Sequence, residues 1–222
     1  MPSLGEPLIR FRGVKKAFGP KVVFDHLDLD VPRGATVTVM GASGSGKSVM
    51  LKLLIGLFEA DAGEILFDGR DVTKMEERDL YEVRRRVAYL FQGAALFDSL
   101  NVGENVAYGL REQNWATMSN DEVRRRVAQS LHQVGLPGIE DMRPSDLSGG
   151  MKKRVGLART LALQPEVVLY DEPTTGLDPI NTARINHLIV AIKRSLRLTS
   201  IVVTHDMGTA FSVSDQLVMR GK

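Results

Sequence analysis

Three features of the chain predict an α/β fold with a largely parallel sheet. Short β-branched segments alternate with helical patterns along most of its length. One of them, Thr36-Val37-Thr38-Val39-Met40, runs into the glycine-rich stretch Gly41-Ala42-Ser43-Gly44-Ser45-Gly46-Lys47-Ser48, and a helical pattern from Val49 to Ile55 follows, ending near Gly56. Another, Val167 to Tyr170, closes on two adjacent acids, Asp171 and Glu172.

The opening of the chain is antiparallel in character. Leu8 to Val14 and Val22 to Val31 read as strands joined by a turn at Gly19-Pro20, and in the second Leu27, Leu29 and Val31 alternate with Asp28 and Asp30. Glu64 to Phe67 reads as a short strand before a turn at Asp68-Gly69, and Val87 to Phe91 as a buried strand ending at Gln92. The middle third turns helical. Ser119 and Glu122 have capping-box spacing, Val123, Val127, Leu131 and Val134 follow at helical intervals, and Gly135 is placed to stop the helix. A further helix is predicted from about Gly149 to Leu163, bounded by Pro165, so residues 93–160 read as a helical subdomain inserted into the core. The core resumes with Val167 to Tyr170, a helix capped by Asp178 with Pro179 in its first turn, and the strand Ser200 to Thr204. Ile185, Leu188, Ile189, Ile192 and Leu196 supply the apolar face of that helix. After Gln216 to Met219 the sequence closes on Arg220-Gly221-Lys222, a turn awaiting another strand, so the natural protein is expected to continue. No internal repeat or low-complexity segment is present.

With 222 residues, 43% apolar and 25% charged, the chain can bury the core of one large domain or two small ones. A net charge of +2 supplies no global basic field for nucleic acid. The absence of cysteine removes disulfides, zinc-thiolate sites and thiol catalysis, and suits a reducing compartment. The N-terminus carries Glu6 and Arg10 rather than a secretory apolar core. The longest apolar stretch, Met50 to Phe58, contains Lys52 and falls far short of the ~20 residues a spanning helix needs. Any membrane task is therefore expected to use a separate partner.

Residues 41–48 match the phosphate-loop pattern G-x-x-x-x-G-K-[ST] in its strand–loop–helix setting. The glycines let the amides of Gly41 to Val49 close around phosphate oxygens, and the helix N-terminus adds partial positive charge. Lys47 is expected to reach the β- and γ-phosphates, and the Ser48 hydroxyl to ligate Mg²⁺. The strand-end acids complete that chemistry. Alternation along a strand points neighbouring side chains opposite ways, so Asp171 is assigned to the metal and Glu172 to the attacking water as general base. Taken alone, the two acids would merely cap an exposed turn before Pro173; with a phosphate loop in the same chain, the catalytic reading prevails. Ser148, Gly149 and Gly150 open a second helix with exposed amides and a hydroxyl, a further anion-ready terminus.

With Leu147-Ser148-Gly149-Gly150-Met151, the sequence resembles the ATP-binding cassette (ABC) ATPases, whose signature is LSGGQ. The resemblance spans nearly the whole chain and includes the expected motifs in order: the loop at 41–48, Gln92, the signature at 147–151, Asp171-Glu172, Asp178 and His205. It implies a P-loop NTPase (RecA-like) core with an N-terminal antiparallel β subdomain and an inserted α-helical subdomain. Residues 1–222 then form one ABC ATPase domain, with 1–92 and 161–222 as core and 93–160 as the signature subdomain. By resemblance, two copies bind ATP and Mg²⁺ head to tail, and Ser148, Gly149 and Gly150 of one copy close on the nucleotide of the other. Gln92 matches the glutamine that contacts metal and water, Asp178 the aspartate near the dimer interface, His205 the histidine on the γ-phosphate, and Phe18 the aromatic that stacks on adenine. Met151 departs from the usual Gln and leaves Ser-Gly-Gly intact.

The wording LSGGM-KKRVGLARTLAL with YDEPTTGLDPI is most similar to cassette subunits of Mla/MCE-type lipid transporters. That implies a membrane permease, an MCE-type lipid-binding protein and a cytoplasmic place on the inner face of the cell membrane. The apolar stretch from Gly93 to Leu110 is expected to leave residues exposed for the permease. Arg84-Arg85-Arg86 and Arg124-Arg125-Arg126 read as solvated helix faces. A soluble ABC ATPase acting on ribosomes or DNA is disfavoured, because one cassette is present and the interval from Ser48 to Leu147 holds no sustained heptad pattern. Intact Lys47, Asp171, Glu172 and His205 argue against a non-catalytic regulator.

Overall fold

A computed structural model describes residues 7–114 and 118–219. Two sheets carry the fold. The first has the order β2-β1-β4-β5 and is antiparallel throughout: β1 (Pro7–Phe18) and β2 (Lys21–Pro32) form a long hairpin around Gly19-Pro20, β4 (Ala62–Phe67) pairs with β1, and β5 (Arg70–Asp71) pairs with β4. The second has the order β6-β7-β8-β3-β9 and is parallel throughout, with β3 at Thr36–Met40, β6 at Val87–Leu90, β7 at Val167–Asp171, β8 at Thr199–Thr204 and β9 at Gln216–Met219. Both hairpin strands run longer than the apolar pattern alone marks, because polar ends such as Lys16 and Lys21 still pair across the turn.

The pleat of the parallel sheet divides the core in two. Leu169, Ile201 and Val203 face the antiparallel sheet and the helix α1 (Lys47–Leu54), where Phe11, Phe67, Leu51 and Leu54 are fully buried. Val168, Tyr170 and Val202 face the opposite way, onto the remaining long helices. With both faces covered, β7 is buried at every residue, which explains its unbroken apolar run.

Helices α3 (Val102–Asn114), α4 (Asn120–Gln133) and α5 (Gly149–Ala162) pack together, and their core runs through Leu90 and Tyr170 into the sheet. Ser119 caps α4 by accepting from the Glu122 N–H, and Gly135 follows the helix at φ 69°. Asp178 caps α6 (Pro179–Leu196) by accepting from the Ile180 and Asn181 amides. Three helices lie outside the sequence expectations. In α2 (Glu77–Arg86) only Leu80 and Val83 are buried, too few to set a period. α3 opens with an Asn-x-x-Glu capping box, in which Asn101 and Glu104 exchange side-chain and amide bonds at 2.7 and 2.8 Å. α7 (Met207–Val213) is seven residues long and starts behind Asp206, whose carboxylate accepts from the Thr209 amide.

Two expectations need correcting. Leu196 does not join the buried face of α6: the helix ends there, Arg197 takes a left-handed conformation at φ 53°, Leu196 stays exposed, and Leu198 enters the core instead. The arginine runs are only partly solvated. Arg84 donates to the Ile55 and Gly56 carbonyls, Arg86 pairs with Asp68 and Glu166 and covers the Phe67 ring at 4.7 Å, and Arg126 reaches the Ala162 carbonyl. The expected turn at 220–222 lies outside the described residues.

Where β4 joins β1, Gly63 has φ +84°, and a Cβ there would lie 2.5 Å from the Gly13 carbonyl oxygen. Neither backbone can retreat without breaking the pairing. Gly63→Ala is expected to destabilise the fold by roughly 2 kcal/mol or more, measured as a lowered urea midpoint.

Candidate active site

Three parallel strands end at one edge of the sheet and deliver the site. β3 leads into residues 41–46, β7 ends on Asp171, and β8 precedes His205. Register aligns them, since Met40 pairs with Thr204 and Asp171 with Val203. A cavity of about 290 Å³ opens where they meet. Ser43, Gly44 and Gly46 form one wall with Lys47, Ser48 and Val49 at the helix start, and Gln92, Glu172 and His205 close the other. A larger cavity of about 560 Å³ beneath β2 reaches Lys47 but none of the other motif residues.

The loop backbone suits an anion. Gly44 and Gly46 take φ values of 74° and 89°, conformations that a side chain would strain. Beside Gly44 a Cβ would meet open space. Ser45 Oγ is buried with no hydrogen-bond partner among the described residues. The buried Lys47 ammonium folds back over its own loop, donating to the Gly41 and Ala42 carbonyls at 2.8 and 3.1 Å. Its third neighbour is Glu172, 3.4 Å away.

Asp171 is held by two hydroxyls. Ser48 Oγ donates to Oδ1 and the Tyr89 hydroxyl to Oδ2, each at 2.7 Å. Glu172 departs from the expected strand alternation. It leaves β7 in a left-handed conformation, φ 48°, while its amide still donates to the Val203 carbonyl. The kink turns its side chain into the same cavity that Asp171 borders through Ser48. There, one carboxylate oxygen faces Lys47 and the other collects the hydroxyls of Thr175 and Thr204 at 3.2 Å and the His205 Nδ1 at 2.9 Å. Burial pushes the Glu172 carboxyl upward, but the His205 hydrogen bond and the charges of His205 and Lys47 outweigh it and hold the group below its ordinary value.

The donor set fits Mg²⁺ with a phosphate. The Ser48 hydroxyl and Asp171 carboxylate are hard oxygens in contact, and Gln92 offers an amide oxygen across the cavity.

The remaining expected residues lie elsewhere. Phe18 sits at the hairpin end, half exposed, edge-on to Phe58 at 5.3 Å, and does not line the cavity. Ser148 is exposed at the start of α5, where its hydroxyl accepts from the Met151 amide. Gly150 abuts α6 so closely that a Cβ would lie 2.7 Å from Asn181 Oδ1, and Asn181 in turn donates to Asp178. Ser148, Gly149, Gly150 and Asp178 thus form a second locus, and none of them lines the phosphate-loop cavity. The apolar stretch after Gln92 leaves Phe97 and Tyr108 exposed and in ring contact at 4.6 Å, as expected for part of it, whereas Ala94 and Val102 are buried.

Comparison with known proteins agrees with this geometry. The ABC transporter family model matches residues 24–175. The chain is 42% identical over 212 residues to the intermembrane phospholipid transport system ATP-binding protein MlaF of Haemophilus influenzae, covering 96% of this chain and 80% of that one. It is also 42% identical over 211 residues to the probable ribonucleotide transport ATP-binding protein mkl of Mycobacterium leprae, covering 95% of this chain but only 60% of that longer protein. Among solved structures, a dimeric ATP-binding cassette in a post-hydrolysis state with ADP and Pi superposes with a TM-score of 0.86 at 30% identity, covering 95% of this chain and 93% of that one.

Tyr89, Thr175 and Thr204 were not anticipated as site residues. Each gains its role only through a tertiary contact, and no local pattern marks it. Removing the Tyr89 hydroxyl leaves Asp171 Oδ2 without its donor. Tyr89→Phe is expected to cost roughly 1–3 kcal/mol in chemical unfolding, with the sheet retained by circular dichroism.

Proposed function

The chain belongs to the ABC transporter family, and we propose that it is the ATP-hydrolysing cassette of a transporter that moves phospholipid or a related lipid. The observation that carries the ATPase reading is the single cavity in which Lys47, Ser48, Gln92, Glu172 and His205 converge at the strand ends.

The loop amides and the α1 N-terminus hold phosphate oxygens, and Lys47 neutralises the β- and γ-phosphates. Ser48, Asp171 and Gln92 are the residues that would hold Mg²⁺, which would supply positive charge against the phosphate oxygens. Glu172 takes a proton from the attacking water. Before nucleotide arrives, Glu172 holds the two groups meant for phosphate, the Lys47 ammonium and the His205 imidazole. A γ-phosphate draws both away. Glu172 then loses the contacts that depress its basicity and becomes a stronger base when substrate is in place.

The start of α5, where Ser148 and Gly149 are exposed, does not line this cavity, which favours a head-to-tail dimer in which each copy closes the other's site. Phe18, exposed at the hairpin end, supplies a stacking face for adenine, and Asp178 fixes the α6 start beside the signature helix. ATP then binds the closed state better than the open one and drives closure; hydrolysis releases it.

No described helix is long and apolar enough to cross a membrane. Membrane attachment runs through a permease, for which the exposed Phe97–Tyr108 pair in the stretch after Gln92 is the suited surface, and through it to an MCE-type lipid-binding protein. The lipid reading is supported by 42% identity to MlaF along most of both chains. Equal identity to mkl raises a ribonucleotide as the competing cargo. Mass spectrometry of the complex drawn from native membranes separates them: co-purified phospholipid supports the lipid reading, and ATPase stimulation by ribonucleotide without lipid would replace it.

Glu172→Gln is expected to bind ATP, lose hydrolysis by about 10²–10⁴-fold and accumulate as dimer on size exclusion; hydrolysis at the parent rate would remove Glu172 as the base. Ser148→Arg is expected to abolish that ATP-dependent dimer while each monomer still binds ATP. Loss of monomer binding would contradict closure in trans.

A further inference from the structure

The helix that opens with Ser148 also carries a buried cation that the mechanism above leaves unused. Lys153 is only 7% exposed. Its ammonium donates to the backbone carbonyl of Gln92 and lies 3.4 Å from the carbonyl of Glu172. No carboxylate stands within ion-pair distance of it among the described residues. Burial lowers its pKa, opposed by the nearby charges of Asp171 and Glu172. A buried ammonium facing carbonyls is an expensive way to fill space that an apolar chain would fill more cheaply.

The same helix grips the loop after Gln92 at two further points. Arg159 donates to the carbonyls of Ala94 and Ala95 at 2.6 and 2.8 Å, and both alanines are left-handed at φ 61° and 47°. Such conformations are unfavourable for alanine and persist when neighbours impose them. Gly156 allows the approach, since a Cβ there would come within 3.0 Å of the Ala94 methyl. The loop carrying Gln92 is thus fastened to α5 rather than free to drift from it.

We propose that Lys153 is a positioning residue for hydrolysis, pinning the peptide groups of Gln92 and Glu172 to the helix whose N-terminus receives the partner copy's nucleotide. This rests on the ATPase reading above. Glu172 sits on a left-handed backbone, so relaxing its Cα out of that conformation would re-aim the carboxylate. With its carbonyl tied to Lys153, the carboxylate keeps its aim only while α5 is seated. Seating of Ser148 on one nucleotide is thereby passed, within the same chain, to the residues that hydrolyse the other.

Lys153→Met and Lys153→Arg in the full-length chain test this. Lys153→Met is expected to lower kcat by about 10- to 100-fold while KM and fluorescent-ATP binding stay within about twofold of the parent. Lys153→Arg, which keeps charged donors, is expected to recover most of that loss. A Lys153→Met variant with kcat within about twofold of the parent would overturn the proposal, as would Lys153→Arg failing to exceed Lys153→Met. Loss of ATP binding in both variants would also overturn it, assigning Lys153 to the stability of the loop. An inactive parent chain would instead overturn the ATPase reading and this inference with it.

Discussion

Parallel pairing of β3, β7 and β8 is the constraint on which the site depends. In an antiparallel sheet, neighbouring strands would send their C-terminal loops to opposite edges. Here all three arrive together, one bringing the glycine loop, one the acid pair and one the histidine. The pairing is one-for-one without bulges, so Asp171 stands level with Val203 and Met40 with Thr204. A slip of one residue would turn Val168 and Tyr170 towards the core that Leu169 occupies, exchanging every contact on both faces. Packing of two distinct cores therefore locks the register, and the register fixes where Asp171, Glu172 and His205 stand relative to Lys47.

Within that frame the polar groups are mutually satisfied. Asp171 spends its two oxygens on Ser48 and Tyr89, and Glu172 spends its own on Lys47, Thr175, Thr204 and His205. Two carboxylates this deeply placed would be costly if left bare. Three of their partners, Ser48, Lys47 and His205, are groups that a triphosphate and its metal would recruit. The resting arrangement thus keeps both carboxylates hydrogen-bonded, and nucleotide entry exchanges partners rather than leaving them bare.

The motif chemistry was legible because each piece sits at a strand end or a helix start, where a short pattern fixes geometry: the loop at 41–48, Asp171 after an apolar strand, Asp178 before Pro179. The strands were legible for the same reason, since a parallel strand covered on both faces must be an apolar run. What escaped depends on distant contacts. Lys153 carries no signal of its own in the sequence; only the packing of α5 against the loop after β6 buries it. Tyr89 reads as one more apolar strand residue until Asp171 is placed opposite its hydroxyl. Glu172 lines the phosphate-loop cavity, but a left-handed kink, not the alternation the sequence suggests, turns it there. α3 escaped because its Asn101–Glu104 box lies inside an apolar stretch read for its exposed surface, with no helix marked in it.

The second locus poses a problem that one chain cannot solve. Ser148 and Gly149 are exposed, yet Gly150 beneath them is packed against Asn181, which is bonded to Asp178. A helix terminus meant only as a cap would need Ser148 alone, and α4 manages with Ser119. Fixing the starts of α5 and α6 against each other costs a glycine at a buried position, with its greater loss of backbone freedom. That cost makes sense if the two termini must present a rigid joint face to something outside the chain. Because α5 continues from that face to Lys153 and Arg159, and so to the loop carrying Gln92, whatever presses on Ser148 also bears on Gln92 and Glu172. A rigid helix spanning both loci is a sufficient physical link between two nucleotides, and it needs no deformation of the sheet that holds the first.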